Sequence, residues 1–249
     1  MTRLISAIAA LLLITIPASA QTPATAPAPP APPPGWSGQA SLSFVDASGN
    51  SHARTLGLEG KVVYHPEKWM ATEQAAYARS TTDAVLSAET LTSDFLANRQ
   101  ITARLSGYGR LDYLRNQFAG IDDRVATDGG IGYELLPLDG PQALTVTVGL
   151  GYSHEADLSG FTQSFATDDA GASYAWKLSK TSTISDEAKY TGSLADAGNW
   201  RLRNTAAVTA AITSMFALKV SHRLDFVNQP VPGFGRTDQL TSASLVVSF

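Results

Sequence analysis

Four histidines, twenty-two side-chain carboxylates and eighteen lysines and arginines supply the acid–base chemistry of this 249-residue chain, and no cysteine adds a nucleophile, a thiolate ligand or a disulfide. The nearest approach to a nucleophilic relay is Ser153-His154-Glu155. Neighbours along a strand point to opposite faces, so these three cannot form a relay among themselves. His52 and His154 fall near strand ends, His65 in a turn and His222 on an apolar face. The adjacent carboxylates Asp122-Asp123 and Asp168-Asp169 have the type for divalent-cation or general-acid work. No glycine-spaced calcium loop surrounds them, and they read as solvated loop or rim charges. There is no phosphate-cradling glycine loop, zinc spacing or dinucleotide fingerprint, so no catalytic residue, no cofactor and no metal is expected, and the protein is read as a non-enzyme. A net charge of -4 argues against nucleic acid as a partner, because that binding rests on cations neutralising phosphates.

The remaining charges matter through the elements that carry them. Between Trp36 and Phe249 the hydrophobic period is two. Leu144, Val146, Val148, Leu150 and Tyr152 share one face, and Thr145, Thr147, Gly149, Gly151 and Ser153 the other. Val125, Ile131, Tyr133 and Leu135 oppose Arg124, Asp128, Gly130, Gly132 and Glu134 in the same way, and Phe216, Leu218, Val220, Leu224 and Phe226 oppose Lys219, Ser221, Arg223 and Asp225. Turn signals cut the region into about twelve strands, near 36–46, 51–64, 68–80, 84–97, 100–116, 122–136, 142–155, 161–178, 181–192, 198–213, 215–228 and 236–249. Segments 68–80 and 84–97 alternate poorly, which leaves ten strands open.

Alternation alone does not separate a soluble sandwich from a membrane barrel. The N-terminus favours export: Arg3, the apolar run Leu4 to Ile16, and Ala18-Ser19-Ala20 form a signal peptide over 1–20, with cleavage expected after Ala20. Residues 21–35 are a Pro/Ala-rich periplasmic linker with an extended bias. Tyr64, Trp69, Tyr133, Tyr152, Tyr174, Trp176 and Trp200 fall near strand ends, as an interfacial girdle requires. Leu245, Val247 and Phe249 alternate up to a terminal aromatic, which resembles the signal that outer-membrane barrels present to their assembly machinery. The expected fold is therefore an all-β, closed antiparallel transmembrane barrel over 36–249, in the cell outer membrane, with outer-membrane lipid and lipopolysaccharide as neighbours.

Tyr108-Gly109-Arg110-Leu111-Asp112-Tyr113, Phe118-Ala119-Gly120-Ile121-Asp122, Arg124 and Gly130-Ile131-Gly132-Tyr133-Glu134-Leu135-Leu136 resemble the domain of unknown function 481 family. Its members, the YdiY-like proteins, are often labelled salt-induced outer-membrane proteins. The resemblance implies an outer-membrane barrel and brings no established substrate or catalytic residue. In such a barrel Arg104, Arg110, Asp112, Arg124, Asp128 and Glu134 would face the lumen as interleaved opposite charges. A cross-strand salt-bridge ladder filling the interior is the preferred reading, and a charge-selective filter, which needs rings of one sign, is the alternative. Gly107, Gly109, Gly130 and Gly132 would leave room for Tyr108 to fold across. The functional expectation is an envelope-integrity or salt-adaptation role, with a narrow diffusion channel for polar or charged solutes, and less readily a barrel hydrolase, as alternatives.

Overall fold

A computed structural model describes residues 35–47, 53–66 and 68–249. The signal peptide and its cleavage point, linker residues 21–34, the loop 48–52 with His52, and Glu67 lie outside the described residues. Twelve strands run in chain order among them: β1 (Trp36–Ala47), β2 (Ala53–Tyr64), β3 (Trp69–Thr82), β4 (Val85–Gln100), β5 (Leu105–Asn116), β6 (Ile121–Leu136), β7 (Gln142–Asp157), β8 (Thr162–Lys177), β9 (Ser182–Ser193), β10 (Trp200–Ala211), β11 (Phe216–Val227) and β12 (Thr237–Ser248). Each pairs antiparallel with the next, and β12 returns to β1 to close the barrel. An even strand number brings the first and last strands' outward ends to one rim, called here the inner rim.

Polarity is inverted relative to a soluble protein, and this decides between sandwich and membrane barrel. The wall exposes Leu42, Phe44, Leu58, Ile131, Val148, Leu150, Val208, Leu218 and Leu245, while Thr72, Asp128, Ser153, Glu155, Thr167, Asp169 and Ser244 are buried. In water that arrangement would forfeit the apolar burial that drives folding; in lipid it puts the apolar band outside and the polar face in the lumen. Backbone groups find partners strand to strand around the sheet, as a bilayer demands, except along the outer part of the β1–β12 seam. The seven expected girdle aromatics all sit on the outward face, with Trp36 4.5 Å from Tyr64 and Trp200 5.0 Å from Phe226 between ring centroids.

The poorly alternating segments are true strands, β3 and β4. Their signal is blurred because the outward face is itself polar: Ser93 Oγ donates to Glu73 (2.7 Å) and Tyr77 Oη to Glu89 (2.7 Å). Asp83 and Ala84, both at positive φ, make the tight hairpin between them.

A second difference concerns Arg104. The strand expected over 100–116 begins only at Leu105, and the inner turn lies at 101–104 instead of Asn98-Arg99. Thr102 shapes it, its hydroxyl accepting from the backbone N–H of Arg104 and of Leu105 (3.3 and 3.0 Å).

Closure is uneven. β1 and β2 are in register over twelve pairs and β11 and β12 over eleven, whereas β1 meets β12 only from Gln39↔Ser248 to Leu42↔Leu245, extended by two Gly38–Phe249 backbone hydrogen bonds (2.9 and 3.0 Å). The Phe249 ring lies over Gly38, where a Cβ would collide with it.

Candidate functional site

The lumen carries the charged chemistry. The pleat turns Arg110 and Asp112 of β5, Arg124 and Asp128 of β6, Glu155 of β7, Asp169 of β8, Lys189 of β9, Arg201 and Arg203 of β10, and Arg223 and Asp225 of β11 to the inside. Lys189 stands beside Arg203 in register, a like-charged neighbour, and Arg203 is already committed to Asp225 through Nε (2.6 Å). Lys189 instead reaches across the barrel, donating to Asp112 Oδ2 at 2.7 Å and Asp128 Oδ1 at 2.9 Å.

That reach measures the barrel's shape. Twelve strands about 4.8 Å apart and tilted by about 40° close into a round barrel about 24 Å across, holding backbones four strands apart at about 21 Å. A hydrogen-bonded lysine and aspartate span only about 12 Å between Cα atoms. β9 and β5 are four strands apart, so the cross-section is oval, narrowed along the Lys189 bridge. Two further pairs cross three strands each: Arg201 Nη1 to Glu155 Oε2 at 2.7 Å, and Lys219 Nζ to Glu59 Oε2 at 3.3 Å, the latter strapping the β1–β12 seam from inside.

The charges form two tiers. Toward the outer rim Glu155 is shared by Arg201 and by Arg124 at 3.9 Å, while Asp225 accepts from Nε of both Arg203 and Arg223 at 2.6 Å. Deeper lie Lys189 with Asp112 and Asp128, Arg110 with Asp94 at 3.5 Å, and Asp169, which accepts from Thr191 (2.7 Å) and Thr167 (3.0 Å). Arg110 Nε and Asp128 Oδ2 are buried without a hydrogen-bond partner.

Among these charges lies a cavity of about 90 Å³, lined by cations and carboxylates of both tiers and by Leu114, Ile121 and Phe165. Asn116, Ala119 and Ile121, around the turn Gln117–Ala119, line it on one side. The 228–236 loop reaches Gly120 from the opposite wall: a Cβ there would stand 2.7 Å from Phe234 and 2.9 Å from Val231. Asn228 Nδ2 also donates to Gly198 O (2.9 Å), tying this loop to the β9–β10 connection.

Of the six expected lumen charges, Arg110, Asp112, Arg124 and Asp128 face inward in the network. Arg104 does not: it is exposed in the inner turn, because its strand begins one residue later. Glu134 points inward near the inner rim, away from both tiers. Their ion pairs run to Asp94, Glu155 and Lys189 rather than among the six. Gly107 and Gly109 face outward; the space under Tyr108 is made by Gly130 and by Gly149, whose missing Cβ would meet the Tyr108 hydroxyl.

The remaining chemistry is dispersed. Ser153 and Glu155 are buried inward, and His154 faces out, its Nδ1 2.7 Å from Ser164 Oγ. His222 also faces out, 2.8 Å from the Thr241 hydroxyl. Asp122 lies 3.7 Å from Arg115, and the wall separates Asp168, outside, from Asp169, inside. Among the described residues no three His, Asp or Glu side chains converge as a metal site. At the C-terminus Leu245 and Val247 face outward and Phe249 is 68% exposed.

Comparison with known proteins follows the same lines. An outer-membrane channel from Pseudomonas putida F1 superposes with a TM-score of 0.54 at 12% identity, covering 88% of this chain and 97% of that one. The translocator domain of the autotransporter NalP from Neisseria meningitidis gives 0.46 at 14% identity, over 88% and 90%. The first likeness is one of fold: an outer-membrane β-barrel. No curated protein matches the sequence. The model of the family described as "Protein of unknown function, DUF481" matches residues 40–249, and the chain belongs to that family.

Proposed function

We propose that the protein is a non-enzymatic outer-membrane barrel, closed at rest, that serves envelope integrity or salt adaptation. The observation that carries this reading is the Lys189 bridge to Asp112 and Asp128, which ties β9 through the lumen to strands four and three places away. Opposite charges that satisfy one another across a lumen stabilise a wall; a selective pore needs rings of one sign and a free path. Export with cleavage after Ala20, insertion by the assembly machinery through Leu245, Val247 and Phe249, and contact with lipid and lipopolysaccharide belong to the same proposal, supported by the apolar wall and the exposed terminal aromatic. Refolded protein with heat-modifiable gel mobility should be silent in planar bilayers across salt concentrations. Reproducible conductance steps from the unmodified protein would overturn the closed-lumen reading.

A second reading is a gated channel for small polar or charged solutes. It is favoured by the nature of the obstruction, which among the described residues consists of side chains and the 228–236 loop. Lys189→Ala should then conduct where the parent does not, and a silent, folded Lys189→Ala barrel would count against it.

A further inference from the structure

We propose that the outward face of β9, β10 and β11 is a contact between two copies of this chain, related by a two-fold axis that runs through Ala206 along the membrane normal. The pleat that turns Lys189, Arg203 and Arg223 into the lumen turns Asp186, Asn204 and His222 out of it. Asp186 and His222 both register with Ala206, one strand to either side. This row lies within the apolar band and not at its rim. The next outward row toward the inner rim is Ile184, Val208 and Val220; toward the outer rim come Ala188, Asn204 and Leu224, and then Tyr190, Leu202 and Phe226.

Hydrocarbon leaves polar atoms of this face unsatisfied. Asn204 Nδ2 donates to Asp186 Oδ1 at 2.9 Å, and His222 Nδ1 lies 2.8 Å from the Thr241 hydroxyl. Asp186 Oδ2 and His222 Nε2 have no hydrogen-bond partner among the described residues. A lipid-facing carboxylate at this depth is costly unless a donor meets it. With the Thr241 hydroxyl donating to Nδ1, the imidazole proton sits on Nε2, which makes the ring such a donor.

The symmetry of the face selects a second copy as the partner. Two barrels inserted in the same direction are exchanged by a two-fold along the membrane normal. Through Ala206 that operation swaps β9 with β11, so each Asp186 comes opposite the His222 of the other copy, and each small Ala188 opposite a Leu224. Strand tilt offsets Asp186 from the opposing His222 by about 6 Å in height. An aspartate, a histidine and one hydrogen bond reach about 11 Å between Cα atoms, which bridges backbones facing each other at about 9 Å, slightly closer than packed sheets usually lie. Ala188 and Ala206 leave room for that approach. The polar stretch of β3 and β4 lacks this self-complementarity: Glu73 shares its row with Val62, Phe95 and Leu111, so a second copy would bring no cation to its level.

The chain has no cysteine, so a single introduced thiol reports one position. In lipid vesicles the full-length mature protein carrying Ala206→Cys should be joined into covalent dimers by a short bis-maleimide, whereas Val148→Cys, exposed on β7, should not. Within the Ala206→Cys protein, Asp186→Ala or His222→Ala removes both hydrogen bonds between the copies at once. Each should raise the protein-to-lipid ratio needed for half-maximal crosslinking by about tenfold. The exchanged pair Asp186→His with His222→Asp should restore it, and heat-modifiable gel mobility reports that each variant is folded. Ala206→Cys crosslinking no better than Val148→Cys, alanine variants that crosslink undiminished, or an exchanged pair no better than the single variants would each overturn the proposal. The contact is independent of the lumen: a conducting dimer overturns the closed-lumen reading alone, and a silent monomer overturns this one alone.

Discussion

Lys189→Met removes one charge and keeps the length and the hydrocarbon stem. In the parent the ammonium makes two charge-assisted hydrogen bonds, at 2.7 and 2.9 Å, with Asp112 and Asp128 side chains that are 18% and 4% exposed. Losing one partner of a buried pair costs about 3–5 kcal/mol, because the remaining charge is left uncompensated. Lys189 and Asp112 are each about a fifth exposed, which allows some hydration and places the expected loss near the lower end, about 3 kcal/mol. With a slope of about 2 kcal/mol/M, the urea midpoint should fall by about 1.5 M at neutral pH, read from the fluorescence of the four tryptophans or from the folded band on unheated gels. The informative partner is the triple variant Lys189→Met, Asp112→Asn, Asp128→Asn. With no charge left unpaired it should return to within about 1 kcal/mol of the parent. A single variant that loses less than about 1 kcal/mol, or a triple variant no more stable than the single one, would refute the claim that this bridge braces the lumen.

Other perturbations probe the mouth, the glycine row and the terminus. Gly120→Val should strain a backbone at φ +80° and push Val231 and Phe234 away, so tryptic cleavage after the exposed Arg236 should accelerate. Gly149→Leu should destabilise by about 1–3 kcal/mol by colliding with the Tyr108 hydroxyl and Gly129 O; Gly109→Leu, pointing outward into open space, should be near neutral in chemical denaturation. Phe249→Ala uncovers Gly38 and removes the terminal aromatic, and should lower the fraction of the protein recovered in membranes relative to a soluble pool.

The period of two made the wall legible. It set the inward and outward faces of β6, β7 and β11 correctly, because a pleated strand cannot place neighbouring side chains on one side. It could not name partners. Lys189 lies 77 residues from Asp112 and 61 from Asp128, and only the closed, oval geometry brings them together. Arg104 was misplaced because local hydroxyl–backbone hydrogen bonds at Thr102 end the strand, a signal weaker than the alternation that runs up to it. β3 and β4 were hard to read for a different reason: Glu73 and Glu89 sit on the outward face, where a lipid-facing strand ordinarily carries apolar residues.

The short β1–β12 seam bears on the membrane itself. Beyond Leu42 and Leu245, toward the outer rim, residues 43–47 of β1 register with β2 and residues 237–244 of β12 with β11, but the two edges do not register with each other. Five residues of tilted strand amount to a notch about 13 Å deep, close to half of an apolar band about 25 Å tall. Hydrocarbon cannot satisfy the amide and carbonyl groups along such edges. In a bilayer these edges call for headgroups or water at the level of Leu42, which would thin the leaflet along one meridian of the barrel and give the surrounding lipid an orientation around an otherwise ring-like wall.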